Sequence, residues 1–253
     1  MKSVKTPKKR NIVFTIAYDG TKYRGWQKQG NTDNTIQEKL ETLLSRLLSE
    51  NIEINGAGRT DAGVHAYGQV ANFITTSQMS CEKMLENTNK YLPEDIAVLD
   101  AKDASLRFHS RLNAASKHYR YRILNSSIRD VFNIKYQYML ENEIDTDAMA
   151  EAAEYLIGEH DFKSFCGNKH MKKSTVRRID KIEIVRKDNE IVLDYYGNGF
   201  LQYMVRLITG TLIEIGLHNM KPEQMKNILD AKSKDAAAGA APAHGLALMQ
   251  VFY

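Results

Sequence analysis

Stretches of alternating and of helically spaced apolar residues cover most of the chain. Asn11-Ile12-Val13-Phe14-Thr15-Ile16-Ala17-Tyr18 is dense in β-branched and aromatic residues and predicts a strand, which Asp19-Gly20 ends. Thr35-Ile36-Gln37-Glu38 has capping-box spacing. Behind it Ile36, Leu40, Leu43, Leu44, Leu47 and Leu48 recur at helical intervals, which predicts an amphipathic helix with a leucine-rich core face. Two strand-like segments follow, Ile52 to Ile54 and Gln69 to Ile74, with a glycine-rich turn between them. Ser80 to Tyr91 predicts a helix with Met84, Leu85 and Thr88 inward, broken by Leu92-Pro93-Glu94-Asp95, and Ile96 to Leu99 a strand. Further on, Lys117 to Leu124 alternates as a strand, and Asp145 caps a helix carrying Met149, Ala152, Ala153 and Leu156. Ile179 to Arg186 and Glu190 to Tyr196 predict a hairpin through Lys187-Asp188-Asn189. Phe200 to Leu217 predicts a strongly apolar helix, Pro222 the start of a short one, and Leu246 to Phe252 a closing strand.

The element order predicts an α+β protein of two similar halves that share a mixed, mostly antiparallel sheet. The expected division is a basic N-terminal tail over 1–10, a subdomain over 11–108 and a second over 109–253. A chain of 253 residues is long enough for this. Hydrophobic residues at 43% and charged residues at 26% fit a soluble globular protein. The net charge of +4 permits a polyanionic partner without demanding one. Lys2, Lys5, Lys8, Lys9 and Arg10 read as a solvated tail or as an arm that touches phosphates. No apolar run reaches membrane-span length and no signal-peptide pattern opens the chain. The two cysteines, Cys81 and Cys166, have no metal-ligand spacing. The expectation is a cytoplasmic protein without a membrane partner.

Three anomalies suggest chemistry. Asp61 lies in Gly56-Ala57-Gly58-Arg59-Thr60-Asp61-Ala62-Gly63-Val64-His65-Ala66, where glycines let the backbone bend and let a ligand approach. An aspartate on such a turn either caps nearby amides or presents its carboxylate to a ligand. Arg206 sits inside the most hydrophobic predicted helix. It either snorkels to the wet edge or pairs with a carboxylate from another element, for which Asp61 is a natural candidate. Such a pair would hold the Asp61 carboxyl ionised and fix its rotamer. Tyr119 stands in Lys117-His118-Tyr119-Arg120-Tyr121-Arg122, where alternation sends the tyrosines to one face and the arginines to the other. It either packs in a core or stacks on a base while its basic neighbours meet phosphate. Arg107, Phe108, His109 and Arg111, and Lys169, His170, Lys172, Lys173, Arg177 and Arg178, form two basic loop-like runs that read either as solvated faces or as a phosphate-contacting rim. The seven histidines are scattered, without metal-site spacing, and no nucleotide-binding glycine loop is present. Neither a metal nor a cofactor is expected.

Arg59-Thr60-Asp61-Ala62-Gly63-Val64-His65-Ala66 resembles the catalytic motif of the tRNA pseudouridine synthase A family. Tyr18-Asp19-Gly20-Thr21-Lys22-Tyr23-Arg24-Gly25-Trp26-Gln27, Leu92-Pro93-Glu94-Asp95-Ile96, Phe108-His109-Ser110-Arg111, Phe200-Leu201-Gln202-Tyr203-Met204-Val205-Arg206 and Ala241-Pro242-Ala243-His244-Gly245-Leu246 match it in order. The resemblance implies a pseudouridine synthase fold with an RNA-binding cleft between the halves. It implies a cofactor-independent isomerase that forms homodimers and converts uridine to pseudouridine in the tRNA anticodon arm, at positions 38, 39 and 40. Asp61 would be the nucleophile, acting on the uracil ring or at the ribose C1′. Tyr119 would stack on the base and take the C5 proton, Arg206 would hold Asp61, and Arg59 would help extrude the uridine. The chain departs from the family's usual form at Lys117-His118, over Cys166 to His170 and at Ala240, all on the implied RNA-facing rim. A related synthase acting on ribosomal RNA or another tRNA site, and a non-catalytic RNA-binding protein, remain the alternatives at this stage.

Overall fold

The computed structural model describes residues 8–168 and 170–253. The basic tail as far as residue 7, and Lys169, therefore lie outside the described residues. The chain is α+β and divides into two compact units. The first ends at Ala114 and takes in Tyr253, and the second runs from Ala115 to Phe252.

In the first unit the elements are β1 (Arg10–Tyr18), α1 (Ile36–Leu48), β2 (Asn55–Gly56), β3 (His65–Thr75), α2 (Cys81–Tyr91) and β4 (Ile96–Ala104). Strand β1 pairs antiparallel with β3 on one side and β4 on the other, and β2 pairs with β3. The expected cap is present: the Thr35 hydroxyl accepts from Glu38 N at 3.3 Å. Glu38 does not reciprocate as a capping box would. Its carboxylate instead meets Lys28 at 2.9 Å. Ile36, Leu40 and Leu44 are fully buried, whereas Leu43 and Leu47 are only half-buried. Each buried side chain contributes roughly 1.5–3 kcal/mol, so the inner leucines hold this helix in place. Strand β4 runs five residues past the predicted Leu99, through a polar stretch whose Asp103 binds Arg10 on β1 at 2.8 Å.

The second unit holds β5 (Ser116–Asn125), β6 (Tyr138–Leu140), α3 (Thr146–Glu154), β7 (Gly158–Asp161), β8 (Val176–Lys187), β9 (Glu190–Gly197), α4 (Met204–Gly216), α5 (Gln224–Ala231) and β10 (Leu246–Phe252). Its strand order is β10-β5-β9-β8-β7, with every neighbouring pair antiparallel, and β6 joins β5 in parallel. The hairpin predicted around Asp188 forms, with Asp188 at φ 53°. Two predicted helix starts are corrected. Helix α4 begins at Met204 rather than Phe200, because Tyr203 adopts a left-handed conformation that no helix can pass through. Helix α5 begins at Gln224, two residues after Pro222, whose carbonyl closes a turn onto Met225 N.

Candidate active site

The Asp61 loop is seated on the segment that follows β1. Thr60 is tied at both ends: its hydroxyl bonds the buried Tyr18 hydroxyl at 2.8 Å, and its carbonyl accepts from Trp26 N at 3.1 Å. Burial pushes the Tyr18 phenol pKa well up, so the group stays neutral and serves as a fixed anchor. Val64 N closes a turn onto the Asp61 carbonyl at 3.1 Å, made possible by Gly63 at φ 78°. Gly20 N approaches His65 Nδ1 at 3.1 Å, and the same ring nitrogen lies 3.2 Å from Asp19 Oδ1, so the buried imidazole is held against the 19–20 turn. Gly25 adopts φ 92°, and a Cβ there would lie 2.6 Å from the Thr60 carbonyl oxygen. The backbone under Asp61 is thus held on several sides, while Asp61 itself is half-buried and Arg59, two residues earlier, is exposed.

The first basic run is held as firmly. Asn11 on β1 and Asn72 on β3 are 1% and 3% exposed, unusual sites for two amides. Asn11 Nδ2 donates to the carbonyls of Ser105 and Phe108 at 2.8 and 2.9 Å. Asn72 Nδ2 donates to Asn11 Oδ1 at 3.0 Å, and Asn72 Oδ1 accepts from Ser110 N at 2.9 Å. The Ser110 hydroxyl donates to the Asn55 carbonyl at the start of the Asp61 stretch. Tyr253 closes the far side, its hydroxyl on the Ser110 carbonyl at 2.7 Å and its ring 5.0 Å from that of Phe108. Arg107 and Arg111 remain exposed, and His109 Nδ1 accepts from Arg111 N. Asn72→Ala is expected to destabilise the protein, because it strands both Ser110 N and Asn11 Oδ1 at roughly 1–3 kcal/mol per group. A denaturant titration measures this, and an unchanged midpoint would contradict it.

In the second unit, Tyr119 and Tyr121 share one face of β5, as alternation predicted. Tyr119 is 6% exposed and its ring stands edge-on to Phe200, centroids 5.2 Å apart. The other face departs from expectation. Arg120 grips Asp194 of β9 through two bonds of 2.8 and 2.9 Å, and Arg122 pairs with Glu190. These arginines are engaged within the sheet, because β9 sets a carboxylate beside each. Burial works to raise the Asp194 pKa, yet hydrogen bonds from His118 and Arg120 outweigh it and hold the carboxyl below its ordinary value.

Arg206 on α4 is half-buried. Its Nε donates to the Ala241 carbonyl at 2.7 Å, and Ala241 N returns a bond to the Arg206 carbonyl at 2.9 Å. The guanidinium carbon lies 5.1 Å from the centroid of the Tyr203 ring. Tyr121 donates to the neighbouring Pro242 carbonyl at 2.8 Å, so β5 and α4 converge on one short stretch of backbone. The second basic run is divided. Lys172 and Lys173 are exposed, whereas Arg177 folds onto the carbonyls of Ser174 and Val176 and Arg178 pairs with Asp180 at 2.7 Å.

Arg59 and Asp61 thus share one loop, with Phe108, His109 and Arg111 on a segment bonded to the start of that stretch, while in the second unit Tyr119 packs on Phe200 and Arg206 on Tyr203. Sequence reasoning gave no role to Asn11, Asn72, Phe200, Tyr203 or Tyr253. The one available signal was a polar residue at an inward strand position. Among the described residues no group of three or more His, Cys, Asp or Glu is placed to hold a metal ion, and no helix is long and apolar enough to cross a membrane.

Comparison with known proteins gives a family match over residues 15–113 and 152–253, to the model described as tRNA pseudouridine synthase. Curated relatives match nearly end to end. The tRNA pseudouridine synthase A 1 of Clostridium tetani is 47% identical over 244 residues, 96% of this chain and 100% of that protein. The tRNA pseudouridine synthase A of Bacillus sp. strain KSM-64 is 44% identical, covering 94% and 97%. That of Acetivibrio thermocellus is 38% identical, covering 96% and 100%.

Proposed function

The chain belongs to the tRNA pseudouridine synthase A family and is an isomerase, and from that premise we propose that it converts uridine to pseudouridine at positions 38, 39 and 40 of the tRNA anticodon arm, with Asp61 as nucleophile and without a cofactor. The observation that carries this reading is the seat of Asp61: a carboxylate on a loop tied to Tyr18, Tyr23 and Trp26, with exposed Arg59 beside it. A merely RNA-binding surface gains nothing from an acid facing a polyanion, whereas a nucleophile needs fixed orientation.

The chemistry is redox-neutral and balances within the substrate. The C1′–N1 bond breaks, C1′–C5 forms, and the hydrogen leaves C5 and ends on N1. No oxidant, reductant or group donor is required. Asp61 engages the uracil ring or C1′ while the base turns. Tyr119, kept edge-on by Phe200, bounds the base and takes the C5 proton. Arg206, oriented by the Ala241 carbonyl, holds the Asp61 carboxylate by charge-assisted hydrogen bonds. Arg59 helps draw the uridine out of its stack, at a few kcal/mol, offset by phosphate contacts from His109, Arg111, Lys172 and Lys173. Lys169 belongs to the same proposed rim.

The same reading includes a homodimer gripping tRNA in the cytoplasm. Ile128, Val131 and Phe132, the last 88% exposed, sit on a turn organised by the Asp130 carboxylate, and pairing would cover apolar surface of this kind. Light scattering is expected to give twice the chain mass, and a monomer at micromolar concentration would contradict it.

Transcripts carrying uridine at only one of positions 38, 39 and 40 test the target. Pseudouridine is expected at that position in each, and none when all three are cytidine. Product at another tRNA site, or on ribosomal RNA alone, would overturn the anticodon-arm assignment.

A further inference from the structure

We propose that Tyr203 is a positioning residue for Arg206, held in a strained backbone so that its ring forms a platform under the guanidinium; this rests on the reading of Arg206 as the arginine that serves Asp61. Among the described residues, five other than glycine have positive φ: Ser49, Asp188, Tyr203, His218 and Lys232. Ser49 and Lys232 cap helix C-termini, His218 follows the end of α4, and Asp188 turns a hairpin, all ordinary places for that conformation. Tyr203 alone stands before a helix, at φ 61° and ψ 2°, where an extended residue with a capping oxygen is the rule. It makes no side-chain cap. A bulky aromatic in this region is costly, and such strain persists only where surroundings impose it and something is gained.

The surroundings do impose it. Gly167 N donates to the Gln202 carbonyl at 2.7 Å, which closes the 166–168 segment against the ring. A Cβ on Gly167 would lie 2.4 Å from Tyr203 Cδ2, so only glycine leaves the ring its place. The gain is the contact with Arg206, whose guanidinium lies 5.1 Å from the ring centroid while Nε is bound to Ala241. Ring below and carbonyl beside fix the plane in which the remaining N–H groups point. A serine or aspartate at 203 would cap the helix better, and an asparagine would carry the backbone more easily, but neither supplies a platform.

The test compares kcat, KM and melting temperature on an unmodified tRNA transcript for Tyr203→Phe, Tyr203→Asn, Gly167→Ala and Arg206→Leu. Tyr203→Phe keeps the ring and is expected within about threefold of wild type. Tyr203→Asn relieves the backbone, keeps its melting temperature, and is expected to lower kcat by about 10- to 30-fold with KM nearly unchanged. Gly167→Ala displaces the ring without deleting it and is expected to lower kcat in the same way, which keeps the test intact should Tyr203→Asn fold poorly. Wild-type kcat in Tyr203→Asn or Gly167→Ala, with Arg206→Leu inactive, overturns the positioning role and leaves that of Arg206 standing. Tyr203→Phe as impaired as Tyr203→Asn overturns it too, because the hydroxyl would then be what matters. An active Arg206→Leu overturns the underlying reading of Arg206.

Discussion

Asp61→Asn is expected to reduce uridine isomerisation by on the order of 10⁴-fold or more, the range seen when a covalent catalyst loses its reacting group. The loop itself should survive the change. Its ties run through the Thr60 hydroxyl and carbonyl, Gly63 N on the Tyr23 carbonyl, Val64 N on the Asp61 backbone carbonyl, and Gly20 N on His65. None of these backbone ties uses the Asp61 carboxylate, and asparagine, which matches it in shape, keeps an Oδ1 that can still accept the hydrogen bond proposed from Arg206. Melting temperature should stay within about two degrees. Affinity for tRNA should be equal or slightly higher, since one negative charge facing phosphate is removed. Loss of binding or of folding together with activity would make Asp61 a structural residue of the turn.

Gly25→Ala is expected to cost about 100-fold in kcat although residue 25 carries no reacting group. The new methyl would sit 2.6 Å from the Thr60 carbonyl oxygen and 3.1 Å from the Asp61 carbonyl carbon, both backbone atoms that cannot rotate away. Relief requires the loop to move by a sizeable fraction of an ångström, and misplacement of about 1 Å costs on the order of 10²-fold. The positive φ of Gly25 adds strain of about 1 kcal/mol or more. Gly30→Ala is the matched control, since a Cβ there meets nothing within 4 Å, and it should be neutral. Steady-state kinetics on the two variants checks this. Equal activity would mean that the loop is not held by its seat.

The parts of the fold that were legible in the sequence are those where local pattern and tertiary context agree. The alternation of β1 and β5, the Thr35 cap and the spacing of Ile36, Leu40 and Leu44 each name an element that packing then completes. The start of α4 was not legible, because Phe200 to Val205 reads as an apolar run interrupted only by Gln202, and the ring of the left-handed Tyr203 packs on Gly167, remote in sequence. Strand β6 is only three residues long, and β7 carries no apolar side chain, so neither announces itself. Arg120 and Arg122 looked available for phosphate because their partners, Asp194 and Glu190, stand 74 and 68 positions away on a strand whose register had to be known. Asn11 and Asn72 are ordinary strand polars by sequence, and their burial is visible only once the 105–110 segment lies across them. The candidate site was legible at Asp61, because an acid, an arginine and several glycines crowd one turn, and at Arg206, because a charge in an apolar helix is conspicuous. The ties that orient both residues were not.

The most direct measurement is to incubate the purified protein with an unmodified tRNA transcript in EDTA, with nothing else added, and to map pseudouridine along the RNA. Pseudouridine is expected at positions 38, 39 and 40 wherever uridine stands there, at the rate seen without chelator. Product that appears only when a metal ion or cofactor is restored, or only outside the anticodon arm, would contradict it.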